Sequence, residues 1–376
     1  MTGFRMLAAL VSAAVGPALI TAAQAPAPAP DPLASIRSKT SITNDDQTQI
    51  AQWINDQIQA AMGNDPPNAH GLLTAFRDQQ AGASDAFKQA LALVASRAFR
   101  DLAADSRSAK GSGAIVCAIG MRVLGEMNLP VVAPTAVAAL AHPTEAVREQ
   151  AARCLLTIAP RLDAPSLPDI RNAVRAAARK ENGGEALRAM YALIVATMGA
   201  DEAANAILDI LGARLDAYKT RDLRGALGDA AAVRLLGDMA GSNPTRLSSA
   251  NQAVAVRRLA ELLKLAVLAY LELPTDPKTI PEKQNQRSLE VLIDATEKSL
   301  TAIAEKQRPG IKGGMIASRM MQGGDGGRAD MLRELNNWIG TGQKAGILNA
   351  APFNLPPGLP DVQPAATQPA ATAAAR

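Results

Sequence analysis

Residues 134–160, PTAVAALAHPTEAVREQAARCLLTIAP, constrain the fold more than any other stretch. Apolar residues recur there at helical spacing on both sides of one proline-marked break. Pro134 has the fixed φ and missing N–H that suit a first helical turn. Val137, Leu140 and Ala141 follow at i, i+3 and i+4 and form a narrow apolar stripe. Pro143 cannot extend that helix and pushes His142 out of the αR region, so the helix ends there. Thr144 is placed to cap the next helix, with Glu145 and Glu149 near its positive end. Val147, Ala151, Cys154, Leu155 and Ile158 then share one face, Arg148, Glu149 and Arg153 lie off it, and Pro160 closes the helix. The segment reads as two antiparallel helices that must bury their stripes against neighbours.

The rest of the chain offers weaker versions of the same unit. Residues 84–104, with Phe87, Leu91, Val94, Ala98 and Leu102 at helical spacing, pair across Gly111-Ser112-Gly113 with a buried-looking helix over 115–127. After Pro160, helices are expected near 166–177, 186–198, 201–224, 227–239, 245–273 and 289–303. Upstream, Thr43-x-x-Asp46 reads as an acidic capping box for a helix carrying Ile50, Trp53, Ile54 and Ile58. No alternating strand pattern bounded by turn residues stands out. The fold class expected is all-α: an irregular α-solenoid of stacked antiparallel helix hairpins.

The run Leu140-x-His142-Pro143-x-x-Ala146-Val147-Arg148-x-x-Ala151-Ala152-x-x-Leu155-x-x-Ile158 resembles a HEAT repeat, the helical-hairpin unit of armadillo-like α-solenoids. It keeps the Val-Arg pair early in the second helix. It departs from the family pattern in having His142 at the turn, where Asp or Asn is usual. The resemblance implies stacked hairpins that present a binding surface, and it leaves the function open.

Composition agrees with such a stack. Hydrophobic residues make up 48% of the chain and aromatic residues 3%, so the core has to be built from Ala, Leu, Val and Ile, which let helices approach closely. A net charge of +4 over 376 residues is too small to argue for a nucleic-acid partner. Two cysteines do not make a disulfide framework.

The ends of the chain read differently. Residues 1–25 have the form of a signal peptide, with Arg5 in the n-region, an apolar run from Met6 to Ile20, and Ala23-Gln24-Ala25 as the cleavage site. That run is short and is broken by Gly16-Pro17, so a stable transmembrane span is not expected; an uncleaved anchor is the alternative. The mature protein is expected to be extracytoplasmic, periplasmic or secreted. Residues 26–42 read as a Pro/Ala linker, 43–345 as the helical repeat domain, and 346–376 as a disordered Pro/Ala-rich tail. Within the domain, 309–327 reads as a Gly-rich loop and 328–340 as a helix capping the open end of the stack.

A search for chemistry finds little. His70 and His142 are the only histidines, both in turns, and read as solvated. No Cys-x-x-Cys, His-Glu-x-x-His, Gly-x-Ser-x-Gly or Ser-x-x-Lys spacing is present, and any Ser/His/acid triad has to recruit one of those two histidines. Asp45-Asp46 and Asp201-Glu202 sit at helix starts, where they offset the dipole. Residues 323–327 are glycine-rich but lack the Gly-Lys-Ser/Thr ending of a phosphate loop, and Met315, Met320 and Met321 read as a loose apolar patch. No cofactor, metal or catalytic residue is assigned. Cys117 and Cys154 fall on second helices of successive hairpins. Packed axes lie about 8–10 Å apart while a disulfide needs Cα atoms within about 7 Å, which favours two buried thiols over a bridge.

The most suggestive surface feature is a cationic row, Arg171, Arg175 and Arg179 with Lys180 beside them. It suits phosphate or carboxylate groups, or else it is a solvated face paired with Asp169, Glu181 and Glu185. The function expected is an exported, non-catalytic binding or scaffolding module for a protein or cell-envelope component. An envelope enzyme with a dispersed site, or a polyanion binder using the arginine row, are the alternatives.

Overall fold

A computed structural model describes residues 31–63, 69–242 and 245–359. The signal peptide expected over 1–25, the start of the linker, and the tail beyond 359 lie outside the described residues. Among the described residues every regular element is helical. After the short α1 (Ala34–Arg37) come α2 (Asn44–Gly63), α3 (Ala69–Gln80), α4 (Asp85–Ala104) and α5 (Gly111–Met127). The organising hairpin is α6 (Ala133–Ala139) and α7 (Glu145–Ile158). Next are α8 (Leu167–Ala178), α9 (Gly184–Thr197), α10 (Ala200–Lys219) and α11 (Ala226–Gly241). The long α12 (Ser249–Glu272) and α13 (Ile280–Gln307) precede α14 (Ile316–Gln322) and α15 (Gly324–Ile339).

The packing is serial. Each even-numbered helix from α2 to α12 packs on the odd-numbered helix that follows it; each from α2 to α10 also packs on the next even-numbered helix, and α12 packs on α15. One row therefore runs α2, α4, α6, α8, α10, α12, α15, and a second runs α3, α5, α7, α9, α11, α13. Short loops such as 140–144 and 179–183 join the two helices of a pair, which favours antiparallel neighbours.

The apolar periodicities expected from sequence supply the core. Val147, Ala151, Cys154, Leu155 and Ile158 of α7 are all buried, as are Phe87, Leu91, Val94 and Leu102 of α4. In α6 the buried residues are Ala133, Thr135, Ala136 and Ala139, with Leu140 just beyond, whereas Val137 is half-buried and Ala141 is exposed. The few aromatic residues cluster at junctions: Trp53 meets Phe76 edge-on at 5.0 Å between ring centroids, and Phe76 meets Phe99 at 5.9 Å. Small residues set the helix approach in the odd-numbered row. A Cβ on Gly125 of α5 would sit 3.1 Å from the Cys154 Cα of α7, and one on Gly228 of α11 would sit 2.7 Å from the Gly184 carbonyl at the start of α9. Any side chain at Gly228 would force those two helices apart.

Local capping follows the sequence in part. Asp46 N–H donates to Thr43 Oγ1 at 3.2 Å while Thr43 N–H donates to Asp46 Oδ2 at 3.0 Å, so the acidic capping box at α2 forms. Thr144 occupies the N-cap position of α7, but its hydroxyl donates to the Ala109 carbonyl at 3.0 Å instead of capping. It ties the loop of one hairpin to the loop before it.

Three expected boundaries shift. Residues 31–42 do not run as an extended linker: Asp31 starts a turn, α1 follows, and Leu33 and Ile36 are fully buried. Arg37 fixes this turn to the α3–α4 junction, donating to the Ala81 carbonyl at 2.6 Å and accepting from Ser84 N–H at 2.9 Å. The Gly-rich stretch contains α14, because Glu297 of α13 accepts the N–H groups of Ile316 and Ala317 at 2.9 Å each. Residues 346–359 fold back against the helices; Leu348 and Leu359 are buried, and Lys264 Nζ donates to the carbonyls of Gly358 and Leu359 at 3.0 and 2.8 Å. None of the described helices is long and apolar enough to cross a membrane.

Candidate functional site

The arginine row is largely spent on packing. Arg171 donates through Nε and another guanidinium N–H to the Thr197 carbonyl, the C-terminal end of α9, and lies 3.7 Å from Glu202. A cation at that end complements the helix dipole. Arg179 pairs with Asp209 of α10. Arg175 and Lys180 form no ion pair among the described residues and stay available to solvent. The partners expected from sequence are taken elsewhere: Glu181 binds Arg148, and Glu185 faces Arg153 and Arg188 at 3.9 Å.

His142 is not a solvated turn histidine; it is 5% exposed. Its Nδ1 accepts the Thr144 N–H at 3.1 Å, and its Nε2 lies 3.0 Å from Ser108 Oγ. That geometry fixes the roles. With Nδ1 accepting, Nε2 carries the proton and donates to Ser108, whose own hydroxyl donates to the Asp105 carbonyl at 2.6 Å. A general base would need the opposite polarity. Burial, with the nearby Arg148 cation, lowers the His142 pKa and keeps the ring neutral. His70, by contrast, is exposed.

From His142 a continuous polar chain runs through the next loops, and no local pattern in the sequence marks it. Arg148 donates to the carbonyls of His142 and Pro143 at 2.7 and 2.8 Å and forks onto Glu181, at 2.5 Å from Nε and 2.7 Å from the second nitrogen. Glu181 is buried between α8 and α9 and also accepts the N–H groups of Asn182 and Gly183. Desolvation raises its pKa, but the Arg148 fork and the backbone donors outweigh it and hold the carboxyl below its usual range. The Glu181 carbonyl accepts from Arg214, which in turn pairs with Asp229 at 2.8 Å. Asp229 is fully buried and accepts the hydroxyls of Tyr191 and Tyr218 at 3.1 and 2.7 Å. Burial first, then the Asp229 carboxylate, pushes both phenols well above their ordinary value. The chain bridges one hairpin to the next and lies largely away from water, so it locks successive hairpins in register.

Cys117 and Cys154 are free and buried, and desolvation pushes both thiols up to about 12. Gly125 touches Cys154, and Cys117 lies two helical turns earlier on α5, about 12 Å along the axis. The two Cα atoms are therefore beyond the reach of a disulfide. No cluster of three or more His, Cys, Asp or Glu suited to a metal occurs among the described residues.

A cavity of about 460 Å³ opens where α11, α12 and α13 meet α14 and α15. Its polar wall includes Arg234, Arg328, Gln286 and Glu290; Val291, Met320 and Met331 supply an apolar floor. The Arg328 guanidinium lies 5.7 Å from the Tyr270 ring centroid and donates to the Leu271 carbonyl at 3.1 Å. Glu290 accepts from Gln286 Nε2 at 3.0 Å. Of the expected methionine patch, Met320 is buried while Met315 and Met321 are 51% and 80% exposed.

The fold and these sites define an all-helical protein of serially packed helix pairs. No protein-family model, curated protein or solved structure matches the chain.

Proposed function

We propose that the chain is an exported α-solenoid of HEAT-like hairpins that serves as a non-catalytic binding or scaffolding module for a protein or a cell-envelope component. The observation that supports this reading is the serial packing of two helix rows, each helix on its second neighbour along the chain. Stacks of that kind present long, continuous surfaces in place of one enclosed site. The Val147-Arg148 pair adds support, because Arg148 joins its own turn to the turn of the next hairpin through Glu181. The polyanion alternative now leans on Arg175 and Lys180 alone.

The test is crosslinking of the native protein in its own envelope fraction, with the crosslinked residues mapped. The expected result is one recurrent partner joined to residues along a single helix row. Reproducible recovery of the chain alone, or N-terminal sequencing that returns an intact Met1, would count against the proposal.

A further inference from the structure

The cavity at the α11–α15 end carries a feature that a scaffolding surface does not require: an uncompensated positive charge above an apolar floor. Asp294 in its wall is neutralised by Lys298 at 2.8 Å. Glu290, held by Gln286, offsets one of the two arginines. Arg234 forms no ion pair or hydrogen bond among the described residues, so one cationic charge remains over.

The first turn of α15 has no side-chain cap, and Gly323 and Gly324 reach it at φ 65° and 63°, with open space where a Cβ would stand. These two glycines lie on the cavity rim. The volume falls within the range of small-molecule sites, about 300–1,000 Å³.

We propose that this cavity binds a small amphiphilic carboxylate, its head group between Arg234 and Arg328 and its hydrocarbon body over Val291, Met320 and Met331. A single negative charge fits best, because one cationic charge remains over in the wall. Methionines suit a flexible aliphatic chain, since their thioethers repack around irregular shapes. The proposal does not depend on the scaffolding reading; a ligand binds here whether or not a partner docks elsewhere.

The experiment is calorimetric titration of the full chain with octanoate, octanol and octyltrimethylammonium at fixed ionic strength. Octanoate is expected to bind saturably, and at least about tenfold more tightly than the alcohol or the cation. Arg234→Gln, at an exposed position, is expected to weaken octanoate by about tenfold or more, while Arg175→Gln, outside the cavity, leaves it unchanged. Absence of saturable octanoate binding would overturn the proposal, as would equal affinity for octanol. An equal loss in the two arginine variants would assign the effect to overall charge and would overturn it too.

Discussion

Asp229→Asn tests whether the buried polar chain holds the hairpins together. The carboxylate is fully buried and the Arg214 side chain is 3% exposed, so the substitution leaves a guanidinium in the interior with no counter-charge. The asparagine keeps one acceptor oxygen, but its amide now points a donor at Arg214 Nε or at a tyrosine hydroxyl. Breaking a buried pair costs about 3–5 kcal/mol, and an orphaned hydroxyl about 1–3 kcal/mol, which are not additive. A loss of about 4 kcal/mol is expected, a large share of the about 5–15 kcal/mol that keeps a typical protein folded. Adding Arg214→Met removes the stranded charge and is expected to restore most of the stability, since the asparagine oxygen still accepts from Tyr218. Urea unfolding followed by tryptophan fluorescence reads this well: the chain's two tryptophans, Trp53 in α2 and Trp338 in α15, report from opposite ends of the helix rows. A change below about 1 kcal/mol for Asp229→Asn would refute the reasoning, because a single ordinary hydrogen bond is worth that much. So would a double variant no better than the single.

Two further outcomes are expected. Because burial lowers the folded-state pKa of His142 below the ordinary value of 6.5, the unfolded chain takes up a proton that the folded chain refuses as the pH falls through that value. Stability should therefore decline on acidification from neutrality, and His142→Gln should flatten that decline; an unaltered slope in urea midpoint against pH would contradict the assignment. With thiols raised to about 12 and buried, Cys117 and Cys154 should resist a thiol reagent at pH 8 in the native protein, and both should react at once in denaturant. A native chain that stays unreactive after denaturation without reductant would mean that they are paired.

The helices are legible in the sequence because one-face burial writes itself into short-range spacing. Val147, Ala151, Leu155 and Ile158 are neighbours on α7, and their periodicity needs no knowledge of what they pack against. The contacts between hairpins leave no such trace. Arg148 and Glu181 lie 33 residues apart, and nothing local distinguishes Glu181 from the carboxylates that pair along the surface. The arginine row shows the same limit: spacing places its members on one helix, but Arg171 and Arg179 find their partners on α9 and α10, beyond the neighbours that spacing suggests. His142 reads as solvated because turns usually are, whereas Ser108 from the preceding loop covers it. Leu33 and Ile36 carry little weight among prolines and alanines, yet an apolar pair next to an exposed helix junction is worth burying, at about 25 cal/mol per Å². The cavity draws its wall from five helices and cannot be assembled from any one segment.

The glycine contacts of α5 with α7, and of α11 with α9, carry a geometric consequence. Helices ordinarily keep about 8–10 Å between axes, and a missing side chain lets them draw closer. A methyl at Gly125 or Gly228 should therefore push its two helices apart, and loosen the α5–α7 or α9–α11 contact before any other.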